Sequence, residues 1–135
     1  AQKAVLNANY LKALLKDIDY RKNELCMHEF VLSLNELREN TTVSALDVAK
    51  AMIDNGMHPP TMYFPLIVPE ALMLEPTETE SKETLDNAAK IILDIINTSY
   101  RDPAALHAAP QKSYITRPDE AQAARSPKLR IDLDN

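Results

Sequence analysis

The sequence predicts an α+β domain in which a short, mainly antiparallel sheet is covered by helices. Three segments have the apolar spacing of amphipathic helices, and between them lie short segments rich in residues that favour strands. The resulting order is helix, strand, helix, two strands and helix, which is typical of a small α+β fold. A chain of 135 residues is long enough to bury the core of one such domain without metals or disulfides.

The first two elements are a helix and a strand. The helix is predicted from about Gln2 to Lys16, because apolar residues recur there in steps of three and four. The strand is predicted in "LCMHEFVLS", from Leu25 to Ser33, where alternation places His28 on the same face as Phe30. This placement favours a histidine in the core or at an interface. The polar stretch "NELRENTTV" that follows is predicted to be a loop.

The second helix is predicted in "SALDVAKAMIDNG". Ser44 with Asp47 three residues later is typical of a helix start in which the two side chains cap each other's backbone. The helix is expected to end near Asn55. Gly56, the only glycine in the chain, follows where a left-handed residue is favoured, because glycine has no Cβ to clash.

The centre of the chain is rich in proline. Five of the nine prolines, at positions 59, 60, 65, 69 and 76, bracket two predicted strands, Thr61 to Phe64 and Ala71 to Glu75. A third helix is predicted from Thr77 to about Thr98. The acids near its start are interpreted as partners of the positive helix end rather than as paired catalytic carboxylates.

The last segment has weaker patterns. Short helices are predicted at Ala104 to Ala108 and Asp119 to Arg125, and "KLRIDL" at 128–133 is predicted to be a strand or a packed tail.

Composition narrows the classes of function. The formal net charge is −5 and basic residues are scattered, so neither nucleic acid nor an anionic membrane is an expected partner. A single cysteine, Cys26, allows no internal disulfide, and the N-terminal residues do not resemble a secretion signal. A cytoplasmic protein is therefore predicted. One glycine also leaves no room for a glycine-rich phosphate loop.

The histidines are the first candidates for chemistry. His58 stands beside two prolines and Thr61, in a rigid loop that would hold an imidazole and a hydroxyl in place; a capping or packing role is equally open. His107 lies in an alanine-rich turn and is expected to be exposed. Cys26 and His28 are too few ligands for zinc, so no metal is predicted.

Several motifs together resemble one family. "NANYL", "CMHEFVLS" and "ALDVAKAMIDNGMHPPTMYFPLIVPEALMLEPTETESKETLD" resemble the C-terminal part of the glycine-cleavage P protein, the pyridoxal-phosphate-dependent glycine dehydrogenase (decarboxylating). The segment "PLIVPEALMLEPTETES" resembles the corresponding segment in subunit 2 of the two-subunit form of that enzyme. The resemblance covers most of residues 5–90 and, more loosely, the tail.

The resemblance implies a fold and a reaction. The fold would be the small C-terminal domain of a type I pyridoxal-phosphate enzyme, with residues 1–18 as a helix leading from a missing large domain and 19–135 as the small domain. The enzyme would decarboxylate glycine and pass the aminomethyl group to the lipoyl arm of the H protein. None of the nine lysines stands in the family's cofactor-lysine motif, so the cofactor would be bound mainly by the large domain and the fragment alone would be inactive.

The resemblance also implies partners and site residues. Partners would be the large domain of the same subunit, subunit 1 of the P protein and the lipoyl H protein. His28, His58 and Thr61 would lie at the active-site entrance. Two departures stand out: Gln111 replaces a frequent histidine, and Thr41 and Thr42 replace a turn glycine, which predicts a longer or differently shaped loop. The alternative is a stand-alone binding or assembly module with the small-domain fold.

Overall fold

The computed structural model describes residues 1–130, and it has the predicted α+β architecture. "KLRIDL" extends beyond these residues, and its first part, residues 128–130, forms no strand. The helices and strands have the following bounds: α1 (Gln2–Leu14), β1 (Phe30–Ser33), α2 (Asn35–Thr41), α3 (Ala45–Asp54), β2 (Thr61–Met62), β3 (Ala71–Leu74), α4 (Lys82–Arg101), α5 (Pro103–His107) and α6 (Glu120–Arg125). Both short tail helices therefore form where they were predicted.

The three strands form one antiparallel sheet in the order β1-β3-β2. Phe30 lies opposite Leu74, and Thr61 lies opposite Met73. The outer edge of β1 is covered by the segment after α1, where the Tyr20 N–H donates to the Val31 carbonyl at 3.1 Å. This contact satisfies backbone groups that an open strand edge would leave exposed.

The core lies between the sheet and the helices. Helix α4 packs against α1, α2, α3 and α5, which makes it the central helix of the domain. Its buried face alternates in steps of three and four, as an amphipathic helix requires. The largest fully buried apolar side chains are Leu15, Leu32, Leu34, Met52, Leu72, Ile92, Val43 and Val48. In the part of the chain that the structure describes, no helix combines the length and apolarity needed to cross a bilayer.

Both predicted ends of α3 are confirmed. The Ser44 hydroxyl accepts a hydrogen bond from the Asp47 N–H at 3.2 Å, and the Asp47 carboxylate accepts one from the Ser44 N–H at 2.8 Å. At the other end the Met57 N–H donates to the Met52 carbonyl and the Gly56 N–H to the Ile53 carbonyl, which is the Schellman arrangement. Gly56 has a φ of 71°.

Replacing Gly56 with valine is expected to lower the free energy of unfolding by about 1–2 kcal/mol, because a β-branched residue is strained at positive φ. A Cβ there would meet no atom within 4 Å, so the expected cost is backbone strain and not a clash at Cβ. Gly56→Asn is the control. Asparagine tolerates the left-handed region, so this variant should lose less of the free energy of unfolding than Gly56→Val does. Thermal unfolding checks both variants, and equal melting temperatures for Gly56→Val and the parent would refute the assignment.

The predicted loop at "NELRENTTV" is wrong for most of its length, because residues 35–41 form α2. Leu37 and Thr41, one turn apart, are its buried residues, and so few apolar positions gave no periodic signal. The loop before Val43 was expected to be longer or differently shaped, and the structure has only Thr42 between the end of α2 and Val43. Thr42 alone takes the left-handed conformation, with a φ of 68°, and thereby replaces the glycine.

The strand predicted from Leu25 begins only at Phe30. Asn9 of α1 explains the difference, since its side chain donates to the Cys26 carbonyl at 2.7 Å and accepts from the Cys26 N–H at 3.0 Å. The backbone at Cys26 is therefore paired with a helix side chain instead of a neighbouring strand. His28 lies in a bend and is exposed, so it is not in the core of this domain, and the alternative place at an interface stays a prediction.

The two central strands are shorter than predicted, and α4 starts later. The N-cap of α4 is Ser81, whose hydroxyl accepts from the Thr84 N–H at 3.1 Å. Asn7 of α1 explains why the helix does not begin at Thr77, because its side-chain amide donates to the Thr77 and Glu80 carbonyls at 2.8 and 3.2 Å. These contacts hold residues 77–80 in a turn.

Candidate functional site

A groove of about 590 Å³ runs along one side of the domain. It is bounded by the segment after α3, the start of β2, the end of β3, the turn at 77–80 and the first turns of α4. Its lining mixes apolar side chains with hydroxyls, amides and two carboxylates: Leu11, Asn55, Met57, His58, Thr61, Met73, Leu74, Glu75, Thr77, Glu80, Thr84, Leu85, Asn87, Ala88 and Ile91, together with Gly56 and Pro59, Pro60 and Pro76. Concave surfaces of this mixed character are typical of binding sites.

Two of the three residues predicted at an active-site entrance line this groove. His58 and Thr61 stand at either end of the Pro59–Pro60 pair, and both are exposed. Within residues 1–130 neither side chain hydrogen-bonds to another residue, so the imidazole and the hydroxyl are available to a ligand. Helix α3 ends in a rigid turn at Gly56, and β2 begins at Thr61, so this short segment is fixed at both ends.

His28, the third predicted residue, does not line the groove. It lies in the bend before β1, where its Nε2 is 3.9 Å from a carboxylate oxygen of Glu29. The predicted entrance set is therefore divided in this structure between the groove and a separate exposed loop. The structure does not test the role of any of the three residues, and each role stays a prediction.

Glu75 and Glu80 also line the groove. The sequence interpretation weighed both as possible paired carboxylates, but assigned most acids of this stretch, Glu80 among them, to the start of a helix. Because α4 is capped at Ser81, Glu80 lies before the helix and faces the groove. Glu75 follows directly after β3. The signal that could have located the helix start is Ser81 with Thr84 three residues on, a serine in an N-cap position.

Contacts with α1 hold the first turns of α4, which border the groove. Tyr10 donates its hydroxyl to the Asp86 carboxylate, and Lys82 bonds to the same carboxylate at 2.7 Å. The Lys82 ammonium also lies 5.2 Å from the centre of the Tyr10 ring. Hydrogen bonds from Lys82 and then Tyr10 lower the pKa of Asp86, and the bond to Asp86 raises the pKa of Lys82. The three groups thus join α1 to the start of α4.

Pyridoxal phosphate, which the family resemblance implies, does not fit this groove by itself. In the described part of the chain, no lysine lines it to form a Schiff base and no arginine lines it to hold a phosphate, and Glu75 and Glu80 would repel an anion. Among the residues that the structure describes, Lys12 is the one buried lysine, and its ammonium is already bonded to Asp19 at 2.6 Å and the Arg21 carbonyl at 2.7 Å. Within residues 1–130 no three acidic, histidine or cysteine side chains converge to bind a metal.

The remaining predicted positions have structural contacts. His107 is exposed as predicted, although its ring reaches Asp47, with Nδ1 3.3 Å from a carboxylate oxygen, and Thr42, with Nε2 3.2 Å from the hydroxyl. Gln111 uses its backbone, donating its N–H to the Asp54 carboxylate at 2.7 Å. The departure at position 111 therefore leaves this backbone contact to α3 in place.

The fold and the groove together define the class of protein. It is a small α+β domain whose three-stranded sheet is covered by helices and which has a groove of mixed polar and apolar lining on one side. Residues 1–112 match the family model described as glycine dehydrogenase, C-terminal domain, and the chain belongs to this family.

Curated relatives agree with this assignment. The chain is 58% identical over 128 residues, 94% of its length, to a probable glycine dehydrogenase (decarboxylating) subunit 2 of Treponema denticola. It is 50% identical over 131 residues, 96% of its length, to the protein of the same name from Thermotoga maritima. The matches cover only 27% and 28% of those two proteins, so the chain spans little more than a quarter of the relatives' length.

Proposed function

We propose that this chain is the C-terminal part of a glycine dehydrogenase (decarboxylating) subunit 2, and that it completes an active site whose pyridoxal phosphate is bound by a larger domain. The assembled enzyme would decarboxylate glycine and pass the aminomethyl group to the lipoyl arm of the H protein. The observation that carries the proposal is the 58% identity, over 94% of the chain, to a relative of that name. The short share of the relative that is covered supports a separate cofactor-binding domain.

The groove supplies the proposed contribution of this chain. His58 and Thr61 present an imidazole and a hydroxyl beside apolar walls, and neither is used within the described residues. We propose that they contact the substrate or the incoming arm where it enters. His28, on the separate loop, would lie on a second part of the same entrance. Subunit 1 and the H protein are the proposed partners, and a cytoplasmic location stays a prediction.

The proposed division of the chain is a linking helix at 1–18 and the small domain at 19–135. Helix α1 packs on α4 and contributes Leu11 to the core, which supports a rigid link. Such a link would hold the groove in a fixed position relative to the larger domain.

A chimaera tests the proposal. This chain replaces the matching C-terminal segment of the Treponema denticola subunit 2, and the product is combined with that organism's subunit 1 and H protein. Exchange of labelled bicarbonate into the carboxyl group of glycine is expected with the chimaera and not with subunit 2 lacking the segment. The 135-residue chain alone is expected to show no exchange and no borohydride-trapped adduct with pyridoxal phosphate.

Point variants of the chimaera test the groove. His58→Ala and Thr61→Ala are each expected to lower kcat/KM by about tenfold or more, which corresponds to about 1.4 kcal/mol of transition-state stabilisation. His107→Ala and Thr98→Ala are matched controls outside the groove and should change kcat/KM less than about twofold. Full exchange by the truncated subunit, or a folded chimaera that binds cofactor without exchange, would contradict the proposal. The latter result would favour a binding or assembly module.

A further inference from the structure

The loop between β2 and β3 presents an apolar surface to solvent. Its apolar tip consists of Tyr63, Phe64, Leu66 and Ile67, and Leu66 and Ile67 are 88% and 82% exposed. No charged residue occurs between Tyr63 and Pro69. Contiguous exposed apolar side chains of this kind are uncommon on surfaces that stay in water and usually mark an interaction site.

The loop is anchored at both ends of the apolar tip. The Tyr63 N–H donates to the Ala71 carbonyl at 2.8 Å, and the Ser33 hydroxyl donates to the Pro69 carbonyl at 2.9 Å. Val68 turns inward and is buried, with its N–H donating to the Pro65 carbonyl at 3.0 Å. The exposed side chains are therefore carried by backbone that is already bonded to the sheet.

Glu70 fixes the base of the loop to two helices. One oxygen of its carboxylate accepts from the Ala45 N–H at 2.7 Å, and the other lies 2.9 Å from the Arg38 guanidinium. Both Tyr63 and Glu70 have positive φ, at 57° and 48°, which few non-glycine residues adopt. A surface held in one conformation loses little further entropy when it binds, so the apolar tip is preorganised for docking.

We infer that the apolar tip docks against the rest of the subunit, the portion that precedes this domain in the longer relatives. The matches cover little more than a quarter of those relatives, so most of the subunit surface available to the tip lies outside this chain. Depletion of charge together with aromatic side chains is typical of the centre of a protein interface. This inference rests on the proposed function, because it requires the larger domain.

Cysteine labelling tests the docking. Leu66→Cys and, as a matched variant, Leu25→Cys are made in the Cys26→Ser background; Leu25 is 92% exposed on the loop before β1. In the 135-residue chain both variants are expected to react with a maleimide at similar rates, at 1 µM and at 50 µM protein. In the full-length subunit-2 chimaera without subunit 1, the maleimide is expected to react at least tenfold more slowly at Leu66→Cys than in the 135-residue chain.

Two results of the labelling experiment would overturn the inference. One is an equal rate of maleimide reaction at Leu66→Cys in the chimaera without subunit 1 and in the 135-residue chain. If the reaction then slows only after subunit 1 is added, the tip docks on subunit 1 and the inference is also overturned. The other is protection in the 135-residue chain that grows with concentration, which would make a second copy the occupant. Bicarbonate exchange by the same chimaera separates the two proposals. Exchange without slower maleimide reaction at Leu66→Cys overturns only the docking of the apolar tip. Slower maleimide reaction without exchange overturns only the proposed function.

A second variant covers the case in which a single cysteine perturbs the subunit. Leu66→Ser with Ile67→Ser should leave the melting temperature of the 135-residue chain within about 1 °C, because both side chains are exposed. In the full-length chimaera the same pair is expected to raise the rate of tryptic cleavage between the domains at least fivefold. An unchanged cleavage rate would overturn the inference.

Discussion

Replacing Asp19 with alanine is expected to lower the free energy of unfolding by about 3–5 kcal/mol, because it leaves a buried ammonium without its counter-charge. The Lys12 ammonium and the Asp19 carboxylate are 2.6 Å apart, and their side chains are only 8% and 3% exposed. Lys12 also donates to the Arg21 carbonyl at 2.7 Å, so the pair joins α1 to the segment that covers the edge of β1. Urea unfolding of the 135-residue chain measures the change.

A neighbouring exposed ion pair provides the control. Arg21 and Glu24 are 3.2 Å apart with both side chains largely in water, so Glu24→Ala should change the free energy of unfolding by less than about 1 kcal/mol. The double variant Lys12→Met with Asp19→Ala removes both charges and should recover part of the loss. Equal destabilisation by Asp19→Ala and Glu24→Ala would show that the buried pair has no special role.

Replacing Asp47 with alanine is expected to cost about 2–4 kcal/mol, since it removes a helix cap and a buried charge partner together. The carboxylate accepts from the Ser44 N–H and hydroxyl and lies 2.7 Å from the Arg117 guanidinium. Arg117 in turn donates to the Ala109 and Leu106 carbonyls at 2.7 and 3.2 Å. Loss of Asp47 is therefore expected to loosen the tail after α5 as well as the start of α3.

Asp119→Ala is the matched control, because the Asp119 carboxylate also caps a helix start. It is the N-cap of the exposed helix α6 and accepts from the Gln122 N–H at 2.8 Å. This variant should change the free energy of unfolding by no more than about 1 kcal/mol. Hydrogen exchange of residues 106–117 supplies the second readout. Faster exchange of these residues is expected in Asp47→Ala and not in Asp119→Ala. Unchanged exchange in Asp47→Ala would contradict the expectation that Asp47 holds this segment through Arg117.

The same carboxylate predicts a pH dependence. Burial acts to raise the pKa of Asp47, but hydrogen bonds from Ser44 and the charge and hydrogen bond of Arg117 outweigh it and hold the pKa below the ordinary 3.8. A carboxyl group with a lowered folded-state pKa stabilises the fold above 3.8, and this stabilisation is lost as the pH falls through the folded-state value. The stability difference between the parent and Asp47→Asn should therefore shrink below pH 3.8. A constant difference from pH 7 to pH 2.5 would refute this prediction.

Local patterns were sufficient where a side chain interacts within its own element. The capping pair Ser44 and Asp47 and the left-handed Gly56 depend on backbone groups a few residues away, so spacing alone located both ends of α3. The apolar faces of α1 and α4 were visible for the same reason. Family motifs then supplied the assignment that composition and spacing did not.

Predictions failed where a distant side chain competes for the backbone. The Asn9 side chain bonds to the backbone of Cys26, so β1 begins later in the sequence than predicted. The Asn7 side chain bonds to the backbone of the turn before α4, so that helix also begins later. Asparagine is common in loops and caps, and its sequence position does not say which distant carbonyl it meets. His28 and Glu80 were misplaced for this reason, since each belongs to a segment whose end is set by α1.

The sequence by itself determined the α+β class, the order of the main elements, the family, and His58 with Thr61 as candidates beside a rigid proline pair. Only the tertiary structure decided which residues share the groove, because His58, Thr61, Glu75 and Glu80 belong to separate segments that the sheet and α1 bring together. It also decided that His28 stands apart and that Lys12 pairs with Asp19. The physical reason is that helix and strand patterns arise from neighbours along the chain, whereas a groove and a buried ion pair depend on contacts between residues far apart in sequence.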